Sequence, residues 1–164
     1  MRRKQKKVDA HCHFRRGVAL HVEWGDWLST FAWTHCVTLT FNPFISPSNV
    51  LTFFRRYVSQ LEKTTRANVY WYAAVEGADL GFPHIHAVLM VVGSLSLNEL
   101  RRHWKKGISS VAKYDRERGV AYYITKEMAR DNEWDDYDIC LPPAPAYPDR
   151  EDDHRKLDGH QPDV

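Results

Sequence analysis

The stretch VYWYAAVEGADLGFPHIHAVLMV, residues 69–91, contains two runs of β-forming residues on either side of a short glycine-containing turn. This arrangement predicts a pair of neighbouring strands, Val69–Glu76 and Pro83–Val91. Because residues two apart in a strand share a face, His84 and His86 point to the same side of the predicted sheet. The same alternation places Glu76 near the two histidines once the strands pair.

Two imidazoles and one carboxylate are a donor set that can hold one metal ion with coordination positions left open. Open positions are typical of a catalytic metal site, whereas a structural site is closed by protein ligands. The carboxylate oxygen favours manganese or magnesium, and zinc remains an alternative. A His-x-His pair alone is more often solvated or satisfied by packing, so the hypothesis depends on Glu76 and on the helix described below.

The segments around the strand pair predict the rest of the fold. Working outward, the order is β-α-β-β-α-β with one added helix, which is the split βαβ pattern. The predicted fold class is therefore α+β, a ferredoxin-like (RRM-like) antiparallel sheet with helices on one face and an added C-terminal helix. The other predicted elements are a helix over Val22–Trp33, a strand over Cys36–Phe41, a helix from Pro47, a helix from the Ser96–Glu99 capping box to Gly107, a strand over Ile108–Tyr114 and a helix over Gly119–Arg130.

The charge of the chain is unevenly distributed. Residues 131–164 contain 11 acidic and 3 basic residues, whereas residues 1–130 contain 10 acidic and 20 basic ones. A basic body with an acidic tail is compatible with nucleic-acid binding, although a basic face is often simply solvated. We predict a basic flexible arm (1–17), one globular domain (18–138) and an acidic, proline-rich mobile tail (139–164).

The composition also limits where the protein is expected to work. The start, MRRKQKK, leads into polar sequence, and no apolar run reaches the roughly 18 residues of a membrane span. We expect an intracellular protein without membrane contacts, in a bacterial cytoplasm or, if it comes from a eukaryotic virus, in a host nucleus. Its three widely spaced cysteines predict neither a disulfide framework nor a CxxC-type zinc site.

The helix predicted over Gly119–Arg130 carries two adjacent tyrosines. Its buried stripe leaves Tyr123 at the edge nearest the sheet, with Lys126 one turn further on, and directs Tyr122 away. A tyrosine hydroxyl is a weak nucleophile unless a cation favours the phenolate or a metal neutralises the phosphate that it attacks. These positions favour Tyr123 as the functional residue, while Tyr122 with Lys126 at i+4 remains an alternative.

The order VTLTF (37–41), PHIHAVL (83–89) and YITKE (123–127) resembles the three motifs of HUH endonucleases, in particular single-tyrosine rolling-circle replication initiators (Rep proteins). The resemblance spans about residues 33–130, the predicted domain. It implies that Glu76, His84 and His86 are metal ligands for Mn²⁺ or Mg²⁺ and that Tyr123 and Lys126 are catalytic. The candidate DNA contacts are Thr38, Thr40 and Tyr72 in the domain and Arg2, Arg3 and Lys4 in the arm.

The resemblance implies a metal-dependent reaction on single-stranded or melted origin DNA. The tyrosine would form a 5′-phosphotyrosine link and leave a free 3′-hydroxyl, and the same site would later rejoin the strands. The sequence contains no GxxxxGK[ST] stretch, so a host helicase and a host polymerase are the expected partners. The alternatives are a transposase of a small insertion sequence and a non-catalytic RRM-like module that binds single-stranded nucleic acid through Tyr70 and Tyr72.

Overall fold

The strand pair predicted around the glycine-containing turn lies at the centre of a five-stranded antiparallel sheet. The computed structural model describes residues 20–42, 45–78, 81–126 and 137–143. The strand order is β4-β1-β3-β2-β5. The strands are β1 (His35–Thr40), β2 (Asn68–Glu76), β3 (His84–Val92), β4 (Ser109–Lys113) and β5 (Tyr137–Cys140), and the helices are α1 (residues 20–28), α2 (Pro47–Thr65), α3 (Leu97–His103) and α4 (Val120–Thr125).

The helices divide between the two faces of the sheet. Helices α2 and α3 cover one face with a core that includes Phe54, Leu61 and Leu100. Helices α1 and α4 pack on the opposite face, where Leu28 and Ile124 belong to a second, smaller core. The predicted α+β, ferredoxin-like architecture is confirmed. The added helix α4 contacts β2 and β3 on the second face, which is also the face of the candidate metal ligands. Within the described ranges, no helix has the length and apolar composition that crossing a membrane requires.

The turn between β2 and β3 sets the pairing of the two central strands. Gly77 adopts a φ of 75°, in the left-handed region that favours glycine. A Cβ atom at this position would come within 2.7 Å of the backbone oxygen of Phe82, so a larger residue would also clash. The resulting register places Glu76 directly opposite His84.

Two helices end earlier than the sequence predicts because tryptophans beyond them bind to backbone carbonyls. Helix α1 stops at residue 28, where the Trp33 indole N–H donates to the Leu28 carbonyl at 2.6 Å. Helix α3 stops at His103 and not at Gly107. Trp104 instead turns its indole N–H to the Thr40 carbonyl at 2.9 Å. Tertiary packing therefore overrides the local helix signals.

Strand β5 was not predicted from the sequence. The predicted boundary between domain and tail at residue 139 falls inside this strand, because β5 continues to Cys140 and pairs with β2. Asp138 anchors it: its carboxylate accepts hydrogen bonds from the Arg55 guanidinium at 2.8 and 3.1 Å and from the Trp71 indole at 2.9 Å. The predicted arm, with Arg2, Arg3 and Lys4, and the predicted helix end at 127–130 lie outside the described residues.

Replacing Asp138 by alanine should lower the free energy of unfolding by about 1–2 kcal/mol. The substitution removes three hydrogen bonds, but the expected loss is modest because Arg55 is largely exposed and its charge is screened by solvent. Urea denaturation of the full chain measures the change. Asp138→Asn, which keeps an acceptor for Trp71, should lose less, and equal stability of all three proteins would contradict this account of β5.

Candidate metal and tyrosine site

Three side chains from the central strands converge on the second face of the sheet. Glu76, His84 and His86 each offer one ligand atom, and these atoms lie within 4.8 Å of one another. The Nε2 atoms of His84 and His86 lie 3.5 and 2.9 Å from the Glu76 carboxylate oxygen Oε2. The alternation along β3 and the register of β2 produce this convergence, as the sequence predicts.

The two imidazoles are oriented by hydrogen bonds at their other nitrogen. His84 Nδ1 donates to the Phe82 carbonyl at 3.2 Å, which leaves the Nε2 lone pair of His84 directed at Glu76. His86 Nδ1 lies 3.1 Å from the Thr38 hydroxyl. Histidine ligands of metals are commonly held in this way, with one nitrogen bonded to the protein and the other free for the ion.

The donor set fits a divalent metal ion. His86 Nε2 is buried and has no hydrogen bond among the described residues, because its close approach to Glu76 lacks hydrogen-bond geometry. Burial lowers the pKa of His86 and outweighs the opposing effect of Glu76, so the imidazole is neutral at pH 7. Burial would raise the pKa of Glu76, but the hydrogen bond and charge of Lys126 hold that pKa below its ordinary value. A neutral imidazole and an ionised carboxylate are the forms that bind metal.

Helix α4 adds a tyrosine and a lysine to the same place. The Tyr123 hydroxyl donates to Glu76 Oε2 at 3.4 Å, and the Tyr123 ring packs edge-on against His86 with their centroids 5.1 Å apart. Lys126 Nζ donates to the other carboxylate oxygen of Glu76 at 2.8 Å and lies 3.7 Å from the centroid of the Tyr123 ring. Because Lys126 occupies Oε1, Oε2 remains available to an ion. We call these five residues the tyrosine–metal site.

The neighbouring tyrosine points elsewhere. The Tyr122 hydroxyl donates to the Asp26 carboxylate on α1, and the ring of Tyr122 occupies the space that a Cβ atom on Gly25 would need. The hydroxyl of Thr125, which is fully buried, lies 2.9 Å from Nδ1 of His21. Contacts with α1 thus hold α4 in the rotation that presents Tyr123, 47% exposed, to the metal ligands. Sequence reasoning did not find this role of α1.

The candidate DNA contacts in the domain require correction. Tyr72 is 1% exposed beneath Trp24 and Tyr137, so its ring is not available to a base, contrary to the prediction. The Thr40 hydroxyl is bonded to the backbone of Ile108 on both its donor and acceptor sides. Thr38 contacts the metal-ligand candidate His86, a role that its place in a half-buried strand did not reveal.

Comparison with known proteins identifies one family. A family model that describes the replication-associated protein ORF2 matches residues 34–132, more than half of the chain. The matched span contains β1 to α4 and all five residues of the tyrosine–metal site. Comparison with curated proteins and with solved structures gives no match.

Proposed function

The chain belongs to this family of replication-associated proteins, and from this premise we propose that it nicks and rejoins single-stranded DNA at a replication origin. In this proposal it is a metal-dependent HUH endonuclease of the single-tyrosine type, and it starts rolling-circle replication of a plasmid, phage or small virus. The observation that carries the proposal is the convergence of the Tyr123 hydroxyl, the Lys126 ammonium group and three potential metal ligands on one exposed face.

The reaction assigned to the site is an exchange of one phosphoester bond for another. The Tyr123 hydroxyl oxygen attacks the phosphorus, an O–P bond to tyrosine forms and the P–O3′ bond breaks. The tyrosine proton passes to water, and the departing 3′ oxygen takes up a proton to become a free hydroxyl. Since the number of phosphoester bonds is unchanged, attack by a 3′-hydroxyl on the phosphotyrosine reverses the reaction and joins strands.

Each of the other residues has a defined part in this reaction. The Lys126 ammonium group beside the tyrosine ring favours negative charge on the phenolate oxygen and holds the Glu76 carboxylate in place. Glu76, His84 and His86 would hold Mn²⁺ or Mg²⁺, which supplies positive charge to neutralise the phosphate. The free 3′-hydroxyl would serve a host polymerase, with a host helicase separating the strands.

The structure gives less support to the non-catalytic alternative. RRM-like modules stack bases on aromatic residues of an open sheet face. Here α1 and β5 cover Tyr72, and Trp24 and Tyr137 contact its ring. A family of replication-associated proteins likewise favours origin nicking over insertion-sequence transposition.

We expect the purified chain to form a covalent adduct with single-stranded DNA from the replicon that encodes it. Labelled oligonucleotides tiling that replicon are incubated with the protein and Mn²⁺, Mg²⁺ or EDTA, and a denaturing gel reports any slow-migrating product. An adduct with either metal and none with EDTA supports the proposal. Binding to the same DNA that is unaffected by EDTA, with no adduct or cleavage on any tile, would contradict it and select the binding module.

A further inference from the structure

A cleft opens directly beside the tyrosine–metal site, between α4 and the half of the sheet formed by β1 and β4. Its volume is about 290 Å³, and Tyr123 and His86 stand at the side that faces the metal ligands. Helix α4 packs over β2 and β3, so within the described part of the chain this half of the second face remains uncovered. Among the residues that line the cleft, the floor is formed by Cys36, Thr38, Ser110 and Ala112, and the wall by Val120 and Ile124.

The floor of the cleft is flat because its side chains are small. Cys36 pairs with Ala112 and Thr38 pairs with Ser110 across the β1–β4 ladder, so four short side chains lie in two adjacent rows. Each pair stands on the second face, while the intervening Val37 and Val111 point into the core on the first face. A flat floor opposite an aliphatic wall leaves a slot that suits a planar ring.

The chemistry of the lining selects one part of a nucleotide. The described residues of the lining include no lysine, arginine, aspartate or glutamate, so they offer no charge for a phosphate group. Their apolar surfaces and hydroxyl groups instead suit a heteroaromatic ring with polar edges. A volume at the low end of the usual range for ligand pockets, about 300–1,000 Å³, suits one ring system better than a stack of bases.

We propose that this cleft binds one unpaired nucleobase of the attacked strand, the base next to the phosphodiester that Tyr123 cleaves. The proposal rests on the nicking function proposed above and adds how the cleavage position is selected. Because Tyr123 lines both the cleft and the tyrosine–metal site, a base in the cleft fixes its adjoining phosphate beside the tyrosine hydroxyl. The base must leave any stack to enter, which restricts cleavage to single-stranded or melted DNA.

A coupling experiment between the DNA and the cleft tests this proposal. Single abasic sites are placed at each position around the cleavage site, and Ser110→Phe fills the cleft from an exposed strand position that accepts an aromatic residue. Affinity is measured by fluorescence anisotropy in EDTA, and adduct formation is measured separately with Mn²⁺. Gln60→Phe, which places the same ring on exposed α2 across the sheet, is the matched control.

We expect one abasic position next to the cleaved bond to weaken binding by wild type at least about tenfold. Ser110→Phe should lose a similar factor with intact DNA and almost nothing more with that abasic DNA, since the two changes remove the same contact. Gln60→Phe should behave as wild type. Thermal unfolding checks that Ser110→Phe is folded, and Ala112→Ile fills the cleft from a second position if it is not.

Other outcomes separate the cleft from the nicking chemistry. If the abasic and cleft-filling effects multiply, or if no single position stands out, the cleft does not bind the base. Coupling in EDTA without any adduct in Mn²⁺ would keep the cleft and overturn the nicking function. An adduct that Ser110→Phe forms at the wild-type rate and position would overturn the cleft and keep the nicking function.

Discussion

Replacing Tyr123 by phenylalanine should reduce formation of the covalent protein–DNA adduct by at least about 10³-fold, to below detection on a denaturing gel. The substitution removes only the hydroxyl that lies beside Glu76 Oε2 and keeps the ring that packs on His86. Because the hydroxyl is exposed and its hydrogen bond to Glu76 is long, the fold should be unaffected. DNA binding measured in EDTA should therefore remain close to wild type.

The adjacent tyrosine provides the matched control. Tyr122→Phe removes one hydroxyl from the same helix, but that hydroxyl bonds to Asp26 on α1 and points away from the metal ligands. Tyr122→Phe should retain most of the adduct, and peptide mapping of the wild-type adduct should place the nucleotide on Tyr123. Loss of the adduct in Tyr122→Phe alone would show that α4 rotates before the reaction and would overturn the assignment of the nucleophile.

The parts of the molecule that sequence reasoning predicted are those set by local rules. Period-two alternation is sufficient to place His84 and His86 on one face, and a short turn is sufficient to bring Glu76 beside them. Helical periodicity likewise separates Tyr123 from Tyr122 by about 100°. Each of these inferences spans fewer than about ten residues or one strand pair, so no knowledge of distant contacts is needed.

The parts that were missed depend on contacts between distant segments. Alternation assigns Tyr72 to a face, but it does not reveal that Trp24 and Tyr137 cover that face. Tyr137 belongs to β5, whose four residues lie in a segment dominated by acidic residues and proline. The apolar pair Tyr137 and Ile139 flanking Asp138 was the available signal, but a run this short predicts a strand only when its partner is known.

The role of Thr38 shows the same limit at the level of a single side chain. The threonine-rich strand β1 identified a conformation, and the resemblance to Rep motifs suggested a position near DNA. The hydrogen bond between Thr38 and His86 depends on the β1–β3 register, which places these two residues opposite each other. Register between strands that are 48 residues apart is set by the whole core, so local sequence does not encode it in readable form.

Replacing His86 by alanine should weaken Mn²⁺ binding by at least about 100-fold, because one of three protein ligands is lost. Thr38→Val should cost about tenfold, since it removes only the hydrogen bond that orients the His86 ring. Titration calorimetry of the full chain measures both affinities without DNA. The adduct assay should show the same order, with the His86 variant the weakest.

The graded series separates a metal site from a cluster that merely packs. His103→Ala is the control, because it removes an imidazole that α3 holds on the opposite face of the sheet. If the ion binds through His86, affinity should fall in the order wild type and His103→Ala, then Thr38→Val, then His86→Ala. Undiminished Mn²⁺ affinity in His86→Ala would mean that Glu76 and His86 are joined for structural reasons only. In that case Lys126, already bonded to Glu76 Oε1, would be the cation remaining to offset the phosphate charge.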